Sequence, residues 1–236
     1  MINLIRNEFI KVKKTKLLFS QVLFLIAVYL MKRYGEKSLF DLVYNIIPFI
    51  GIFTCIFFSG TIVNEIENGN FRFYLTKPFK RWKIYLSKLF VILIYITISI
   101  ILISLFTCLL EGNFKIRFIF KFFVYSLPVY FIGFFSLYLS TILKSFSLVI
   151  GISIFTISFG LIISQVLFGI SFNIIEYTFL PYLDYSIFND KVLITNMNRE
   201  LGINLSLNRG IIIDIISMLV FYLLGNRKFI KKDIKN

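Results

Sequence analysis

Residues 64–88 read NEIENGNFRFYLTKPFKRWKIYLSK and separate two apolar runs, residues 42–63 and residues 89–110, in which no side chain is charged. Each run has 22 residues, and about 20 apolar helical residues are enough to cross the roughly 30 Å hydrocarbon core of a bilayer. This pattern predicts two membrane-spanning helices that are joined by a long basic loop.

The whole chain has the composition of a membrane protein with several spans. Hydrophobic residues make up 58% of its 236 residues, against about 45–50% in an average soluble domain. The first and last apolar runs are short, but lysine and arginine side chains at their ends can reach the interface and lengthen them. The sequence therefore predicts an all-α membrane protein, a single transmembrane domain with six transmembrane helices at residues 17–31, 42–63, 89–110, 122–143, 146–170 and 211–225.

The distribution of lysine and arginine orients the chain. With the N-terminus in the cytoplasm, 17 of the 26 cations fall in inner segments and 9 in outer segments. Such a bias toward the cytoplasm is the usual rule for membrane proteins. Both termini are therefore predicted to be cytoplasmic, and the formal net charge of +14 needs no nucleic acid partner.

The residues that enzymes and ion-coupled transporters commonly use are scarce. The chain has no histidine, which excludes histidine metal sites, Ser-His-Asp triads and histidine proton relays. It also has no GxxxxGK[ST] motif for nucleotide phosphates, so we expect no metal, no catalytic residue and no cofactor on this chain. Cys55 and Cys108 fall inside predicted spans and are interpreted as packing residues. Asp214 is the one ionisable residue within a predicted span, and we expect it to reach water at the outer end.

Residues 1–16, MINLIRNEFIKVKKTK, are predicted to form an amphipathic helix in the membrane surface. Apolar residues recur at helical spacing and cations occupy other positions, the arrangement that directs charges toward anionic headgroups. The segment is either a topology anchor or an interface helix that also contacts a cytoplasmic partner. The residues assigned to the interface helix are Leu4, Ile5, Glu8, Phe9 and Lys11.

The positive-inside rule explains the cations of residues 64–88 but not their order. Asn64, Glu65 and Glu67 come first and predict the N-terminus of a helix, where acidic side chains interact favourably with the helix dipole. The helix is predicted to end before Pro78, because proline disfavours helical geometry at the residue that precedes it. A solvated basic loop without further function is the simpler alternative.

Residues 171–210 form the longest predicted outer segment. Its first half is apolar and aromatic but is interrupted by Glu176, Pro181 and Asp184. We therefore expect short broken helices that dip into the outer leaflet, which is tolerated where protein buries the backbone. The second half, residues 189–209, is polar and rich in asparagine and is predicted to be a loop.

The order of these features resembles the membrane subunit of type-2 ATP-binding-cassette exporters, the small bacterial permeases. The resemblance rests on the basic amphipathic start, on six spans with both ends inside, and on the inner loop. In that loop the family commonly has an acidic start, a glycine and a Thr-x-Pro sequence followed by cations. The corresponding residues here are Glu65-Ile66-Glu67-Asn68-Gly69, Thr76-Lys77-Pro78 and Arg81.

The resemblance implies a division of labour between subunits in the bacterial cytoplasmic membrane. A separate cytoplasmic ATPase, present in two copies, would bind ATP and Mg²⁺, and a second permease subunit, identical or paralogous, would complete the path. Residues 1–16 would be an interface helix, and the broken helices with Glu176, Pro181 and Asp184 would form an outer gate. A coupling helix in the inner loop would dock on the ATPase through Glu65, Glu67, Phe71, Arg72, Phe73, Leu75, Lys77 and Pro78.

The cargo follows less directly. Uncharged, aromatic-rich spans favour an amphipathic or lipid-like substrate, and small permeases of this kind are often linked to export of antimicrobial peptides or to self-immunity. Two other classes remain open from the residues alone. One is a membrane scaffold or sensor that binds a cytoplasmic partner through residues 64–88. The other is a channel, secondary transporter or intramembrane enzyme, which the lack of histidine and of intramembrane acids argues against.

Overall fold

The computed structural model describes residues 1–12, 14–35, 38–67, 80–169, 176–189, 191–201 and 204–231. Within these ranges the chain forms helices and turns and no strand, which confirms the predicted all-α class. Short 3₁₀ helices lie at Val43–Ile46, Leu180–Tyr182 and Tyr185–Asn189. The α-helices are, in chain order, α1 (Ile2–Lys11), α2 (Lys14–Tyr34), α3 (Leu39–Leu42), α4 (Ile47–Phe58), α5 (Thr61–Glu67), α6 (Arg81–Glu111), α7 (Ile116–Tyr125), α8 (Leu127–Ile142), α9 (Phe146–Gly169), α10 (Lys191–Leu201) and α11 (Leu207–Lys231).

Five helical segments of the described chain are long and apolar enough to cross a membrane. Each is longer than the apolar run that predicts it, because the helix continues into flanking polar residues. The remaining predicted run, residues 146–170, corresponds to α9. Its apolar stretch, Phe146–Gly160, is shorter than the other five segments. The five segments are Thr15–Tyr34, Leu39–Glu67, Arg81–Glu111, Ile116–Ile142 and Leu207–Lys231.

Proline residues interrupt two of these segments. Pro48 lies in the first turn of α4 and Pro128 in the first turn of α8. Proline has no backbone N–H to donate, so it is tolerated at the start of a helix and disruptive in its interior. At the second interruption the hydroxyl of Ser126 donates to the carbonyl oxygen of Phe123 at 2.6 Å. That bond helps to satisfy the backbone where the helical ladder is broken.

The central helix of the bundle is α6, which packs against α1, α2, α4, α7, α8 and α11. Glycines permit two of these contacts to be close. A Cβ at Gly133 of α8 would lie 2.8 Å from Ile92 of α6, and a Cβ at Gly225 of α11 would overlap the hydroxyl of Tyr85 of α6. Because no methyl group fits at either position, these backbones lie nearer to α6 than larger residues would allow.

Two predictions near the membrane surface are wrong. Residues 1–16 do not form one helix, because α1 ends at Lys11 and Val12 is extended, with φ −79° and ψ 111°. Helix α2 then begins at Lys14. Glu65 and Glu67 do not begin a helix, because they lie in α5, which begins at Thr61 and continues the preceding span.

The polar half of the outer segment also differs from its prediction. It contains α10 instead of a loop. The side-chain amide of Asn198 exchanges two hydrogen bonds with the backbone of Leu205, at 2.9 Å and 3.0 Å. Asn198 therefore fastens the end of α10 to the following chain.

Candidate functional site

The candidate site begins with the face of α1 that points into the protein. Leu4 and Glu8 are four residues apart and therefore share a helix face, and both are 5% exposed. Ile5 and Phe9 are partly buried and pack against the same apolar core. An amphipathic surface helix normally buries apolar residues on this face, and Glu8 is an exception. Because a buried carboxylate is costly unless it is paired, Glu8 requires a cation beside it.

Four side chains form a ring of ion pairs, named here the charge cluster. The ammonium of Lys88 in α6 lies 2.8 Å from Glu8 Oε2 and 2.8 Å from Glu65 Oε2. The ammonium of Lys11 in α1 lies 2.7 Å from Glu8 Oε1 and 2.5 Å from Glu65 Oε1. Each carboxylate thus bridges both cations, and the four charges cancel.

Most of the charge cluster is shielded from solvent. Lys88 is 2% exposed, Glu8 5% and Glu65 7%, whereas the side chain of Lys11 is 42% exposed. A buried ion is costly unless it is paired and hydrogen-bonded, and the loss of one member of a buried pair typically costs about 3–5 kcal/mol. The cluster therefore acts as a unit, with Lys11 as its solvent-facing member.

Both titratable members that belong to α1 are held in their charged forms. Burial of the Glu8 carboxyl raises its pKa, but the neighbouring charges of Lys88 and Lys11 outweigh burial and leave the pKa below its ordinary value of 4.5. Burial of the Lys11 ammonium lowers its pKa, but Glu8 and Glu65 outweigh that effect and raise the pKa above 10.5. The α1 half of the cluster stays ionised over the physiological pH range.

The charge cluster joins three elements at one end of the bundle. Glu65 is in the last described turn of α5, Lys88 is near the start of α6, and α1 supplies the other two members. Helices α5 and α6 are the elements that enter and leave residues 68–79, so the cluster binds together both flanks of that segment. The stretch after residue 80, predicted as part of a loop, is the first part of α6, and Lys88 is inside the protein.

The predicted ATPase-docking residues divide into two groups. Glu65 points into the protein and pairs with Lys11 and Lys88, so its charge is not offered to a partner in the way the sequence suggests. Glu67 is exposed. The others, Phe71, Arg72, Phe73, Leu75, Lys77 and Pro78, lie outside the described residues.

A cavity of about 410 Å³ opens beside the charge cluster. Polar groups of Lys11, Lys16 and Asn64 line it together with the aromatic rings of Phe57 and Phe146. Its mixed lining fits an amphiphile better than a small ion. In the ranges that the structure describes, no group of three or more histidine, cysteine, aspartate or glutamate side chains could hold a metal ion.

The residues predicted for the outer gate have separate roles. Glu176 accepts a hydrogen bond from the backbone N–H of Asn204 at 3.1 Å. Pro181 is buried in a 3₁₀ helix, and Asp184 is half-buried just after it. The short helices of residues 176–189 pack on α9, where a Cβ at Gly160 would overlap Leu183.

A second buried polar pair escapes the sequence-based reasoning. Asp214 is 0% exposed, so the prediction that it reaches water is wrong. The hydroxyl of Tyr185, in the second 3₁₀ helix of the outer segment, donates to Asp214 Oδ2 at 2.6 Å. Burial and the charge of Asp214 raise the pKa of Tyr185 far above its ordinary value. A buried acid in a span usually marks a function or a fixed contact, and here it fastens α11 to the outer segment.

A comparison with models of protein families relates the chain to a family. No curated protein matches the sequence. A family model described as "Protein of unknown function (DUF2705)" matches residues 4–235, which is nearly the whole chain. The chain therefore belongs to the DUF2705 family.

Proposed function

We propose that this chain is the membrane subunit of an ATP-binding-cassette exporter. In this proposal α9 is the sixth transmembrane helix, both termini are cytoplasmic, and a separate ATPase supplies the energy. The observation that supports the proposal best is the charge cluster, because it fastens α1 to the two helices that flank residues 68–79. Those residues form the middle of residues 64–88, the loop that resembles the coupling loop of the exporter family.

A coupling loop must transmit motion to the spans that it connects. An ATPase can move only what it touches, so a displacement of residues 68–79 is effective if α5 and α6 respond together. The charge cluster resists their separation, because pulling Glu65 away from Lys88 would break one of the two ion pairs that each of these buried side chains makes. It also carries the movement to α1. In the proposed exporter the three elements respond as one lever.

The proposed contact surface for the ATPase is therefore narrower than the resemblance alone implies. We assign Glu65 to the charge cluster and leave the contact to Glu67 and to residues 71–78. The alternation of charges and aromatic residues in that segment suits a docking surface with an apolar centre and a polar rim. The ATPase is expected in two copies, with two permease subunits, identical or paralogous.

The proposed cargo is an amphipathic or lipid-like molecule, with antimicrobial peptides as one class. Aromatic clusters between spans support this choice, for example the contact of Phe131 in α8 with Phe221 in α11 at 5.7 Å between ring centroids. The short helices of residues 176–189 would control release on the outer side. They are held to α9 and α11 through Gly160 and Asp214, so they would move with those helices.

Affinity purification of the full chain from its native membrane tests the proposal. The tagged chain should bring down a protein that carries a nucleotide phosphate-binding loop. Exchange of two charges, Glu67→Lys with Arg72→Glu, should abolish this association while the chain still inserts in the membrane. The matched control is Arg199→Glu with Glu200→Lys on α10, which exchanges two exposed charges outside the proposed contact surface.

Two results would contradict the proposal. The first is a purification in which the wild-type chain brings down no ATPase under conditions that keep membrane complexes intact. The second is equal recovery of the ATPase with the Glu67 and Arg72 variant and with the control. The second result would leave an ATPase partner in place but would remove residues 64–88 from the contact.

A further inference from the structure

A second cavity lies at the end of the bundle that carries the charge cluster, and it has a different character. It has a volume of about 560 Å³ and lies between the ends of α8 and α11. Three cations line it, and no acidic side chain does so within the described chain. The lining residues are Thr141, Ile142, Leu224, Arg227, Lys228 and Lys231.

The geometry of α11 explains why the cations gather there. Residues 224, 227, 228 and 231 recur at the spacing of one helix face. The opposite face packs on α6, where Phe229 is fully buried against Tyr85 with ring centroids 5.6 Å apart. The guanidinium of Arg81 also donates to the carbonyl oxygen of Ile230 at 2.7 Å. The end of α11 is thereby held in place, and its cationic face is turned toward the end of α8.

The shape of the cavity follows from the lengths of the two helices. Gly225 of α11 lies against Tyr138 of α8, where a Cβ would be 3.5 Å from the Tyr138 Cα. Beyond this contact α8 ends at Ile142, whereas α11 continues to Lys231. The end of α11 therefore extends roughly 3 Å, about half a turn, past the end of α8. The backbone leaves the helix at Leu143, which is extended, and the cavity opens beside this point.

The lining changes from apolar to cationic along the helix. Ile142 is 43% exposed and Leu224 is 42% exposed, and both belong to segments that can cross a membrane. Arg227, Lys228 and Lys231 are exposed and make no ion pair among the described residues. An apolar wall that leads to unpaired cations at the end of a span matches a molecule with an acyl chain and an anionic headgroup.

We propose that this cavity binds an anionic phospholipid from the surrounding bilayer. The cations bind the headgroup phosphate, and the acyl chains lie along Ile142 and Leu224. A simpler role for the cations, stabilisation of the helix C-terminus through its dipole, accounts for their position in the last turns. It does not account for a cavity with an apolar side, or for the placement of all three cations along it. The inference depends on the membrane character of the chain and not on the proposed exporter function.

Native mass spectrometry of the full chain in detergent tests the site. We expect phosphatidylglycerol to be retained at least roughly tenfold better than phosphatidylcholine with the same acyl chains, given three cations at the headgroup. Arg227→Gln with Lys228→Gln and Lys231→Gln should remove this preference. The matched control is Lys80→Gln with Lys83→Gln and Lys144→Gln, which removes three cations near the same end of the bundle but none from the cavity lining. The control should keep the preference.

Further variants and a competing anion distinguish a lipid site from a misfolded variant and from a site for free phosphate. Lys228→Arg with Lys231→Arg keeps the charge and should keep the preference, which separates charge loss from misfolding. Ile142→Gln with Leu224→Gln should weaken retention although all cations remain. Displacement of the lipid by inorganic phosphate at an equal concentration would identify a site for a free anion and would overturn the proposal. Equal retention of phosphatidylglycerol by the wild type and by the triple cavity variant would overturn it as well.

Discussion

Replacement of Lys88 by methionine should destabilise the protein more than any single change at its surface. Methionine has a similar length and can occupy the same space, so the main effect is electrostatic. Glu8 and Glu65 would be left at 5% and 7% exposure with Lys11 as their one remaining partner in the charge cluster. Removal of one member of a buried ion pair costs about 3–5 kcal/mol. For a chain of this length that corresponds to a lower midpoint of thermal unfolding by about 10 °C.

The protein contains its own reporter for this measurement. Cys55 is fully buried and Cys108 is 3% exposed, so a thiol-reactive fluorogenic dye reports unfolding in detergent as these thiols become accessible. The control is Lys80→Met, which removes an exposed cation just before α6 and should change the midpoint by no more than about 2 °C. A second change, Glu65→Gln in the Lys88→Met background, removes one of the two buried carboxylates that would then share Lys11, and it should restore part of the loss. Equal midpoints for Lys88→Met and Lys80→Met would refute the argument that the buried charges form an interdependent unit.

Three further predictions use the same chain. The first concerns pH. The lowered pKa of Glu8 stabilises the fold fully above about pH 4.5, and this stabilisation is lost as the pH falls through the pKa of Glu8 in the folded protein. The raised pKa of Lys11 stabilises the fold fully below about pH 10.5, and this stabilisation is lost as the pH rises through the pKa of Lys11 in the folded protein. The difference in unfolding midpoint between the wild type and a Glu8→Gln variant should therefore change little between about pH 5 and pH 10. A steep change of that difference near pH 7 would contradict this assignment. Asp214→Leu leaves the buried hydroxyl of Tyr185 without its acceptor and should lower the free energy of unfolding by about 1–3 kcal/mol. Asp214→Asn keeps an acceptor and should lower it less in the same dye assay. Equal losses of stability in the two variants would refute the hydrogen bond. With the native cysteines replaced, Asn196→Cys should react with an impermeant thiol reagent in intact cells and Asn70→Cys should not, and the opposite labelling would reverse the proposed topology.

The spans were predictable because the bilayer imposes a simple requirement. A segment that crosses hydrocarbon must satisfy its own backbone hydrogen bonds, so it is helical, long and apolar, and hydropathy alone can find it. The sequence reveals the interior of α6 for this reason. It does not reveal where the helix ends, because 31 residues at about 1.5 Å each extend roughly 46 Å, well beyond the hydrocarbon core.

The charged contacts were not predictable because their partners are distant in sequence. Lys88 pairs with Glu8 across 80 positions, and nothing in the local pattern distinguishes it from the solvated lysines of a basic loop. Asp214 presents the same difficulty. Its position near the end of a span suggests contact with water, but Asp214 is 0% exposed and accepts a hydrogen bond from Tyr185 of the outer segment. Residues of this kind depend on tertiary contacts between helices, which a single sequence does not contain.

Two of the basic residues on the predicted inner side belong to the charge cluster. Lys11 and Lys88 are neutralised by Glu8 and Glu65 and hold helices together. If these two lysines are discounted, 15 cations remain on the predicted inner side against 9 on the predicted outer side. The bias that orients the chain therefore does not depend on the cluster, since other lysines and arginines supply it. The cluster is for this reason better explained as a mechanical link between α1, α5 and α6 than as a consequence of membrane topology.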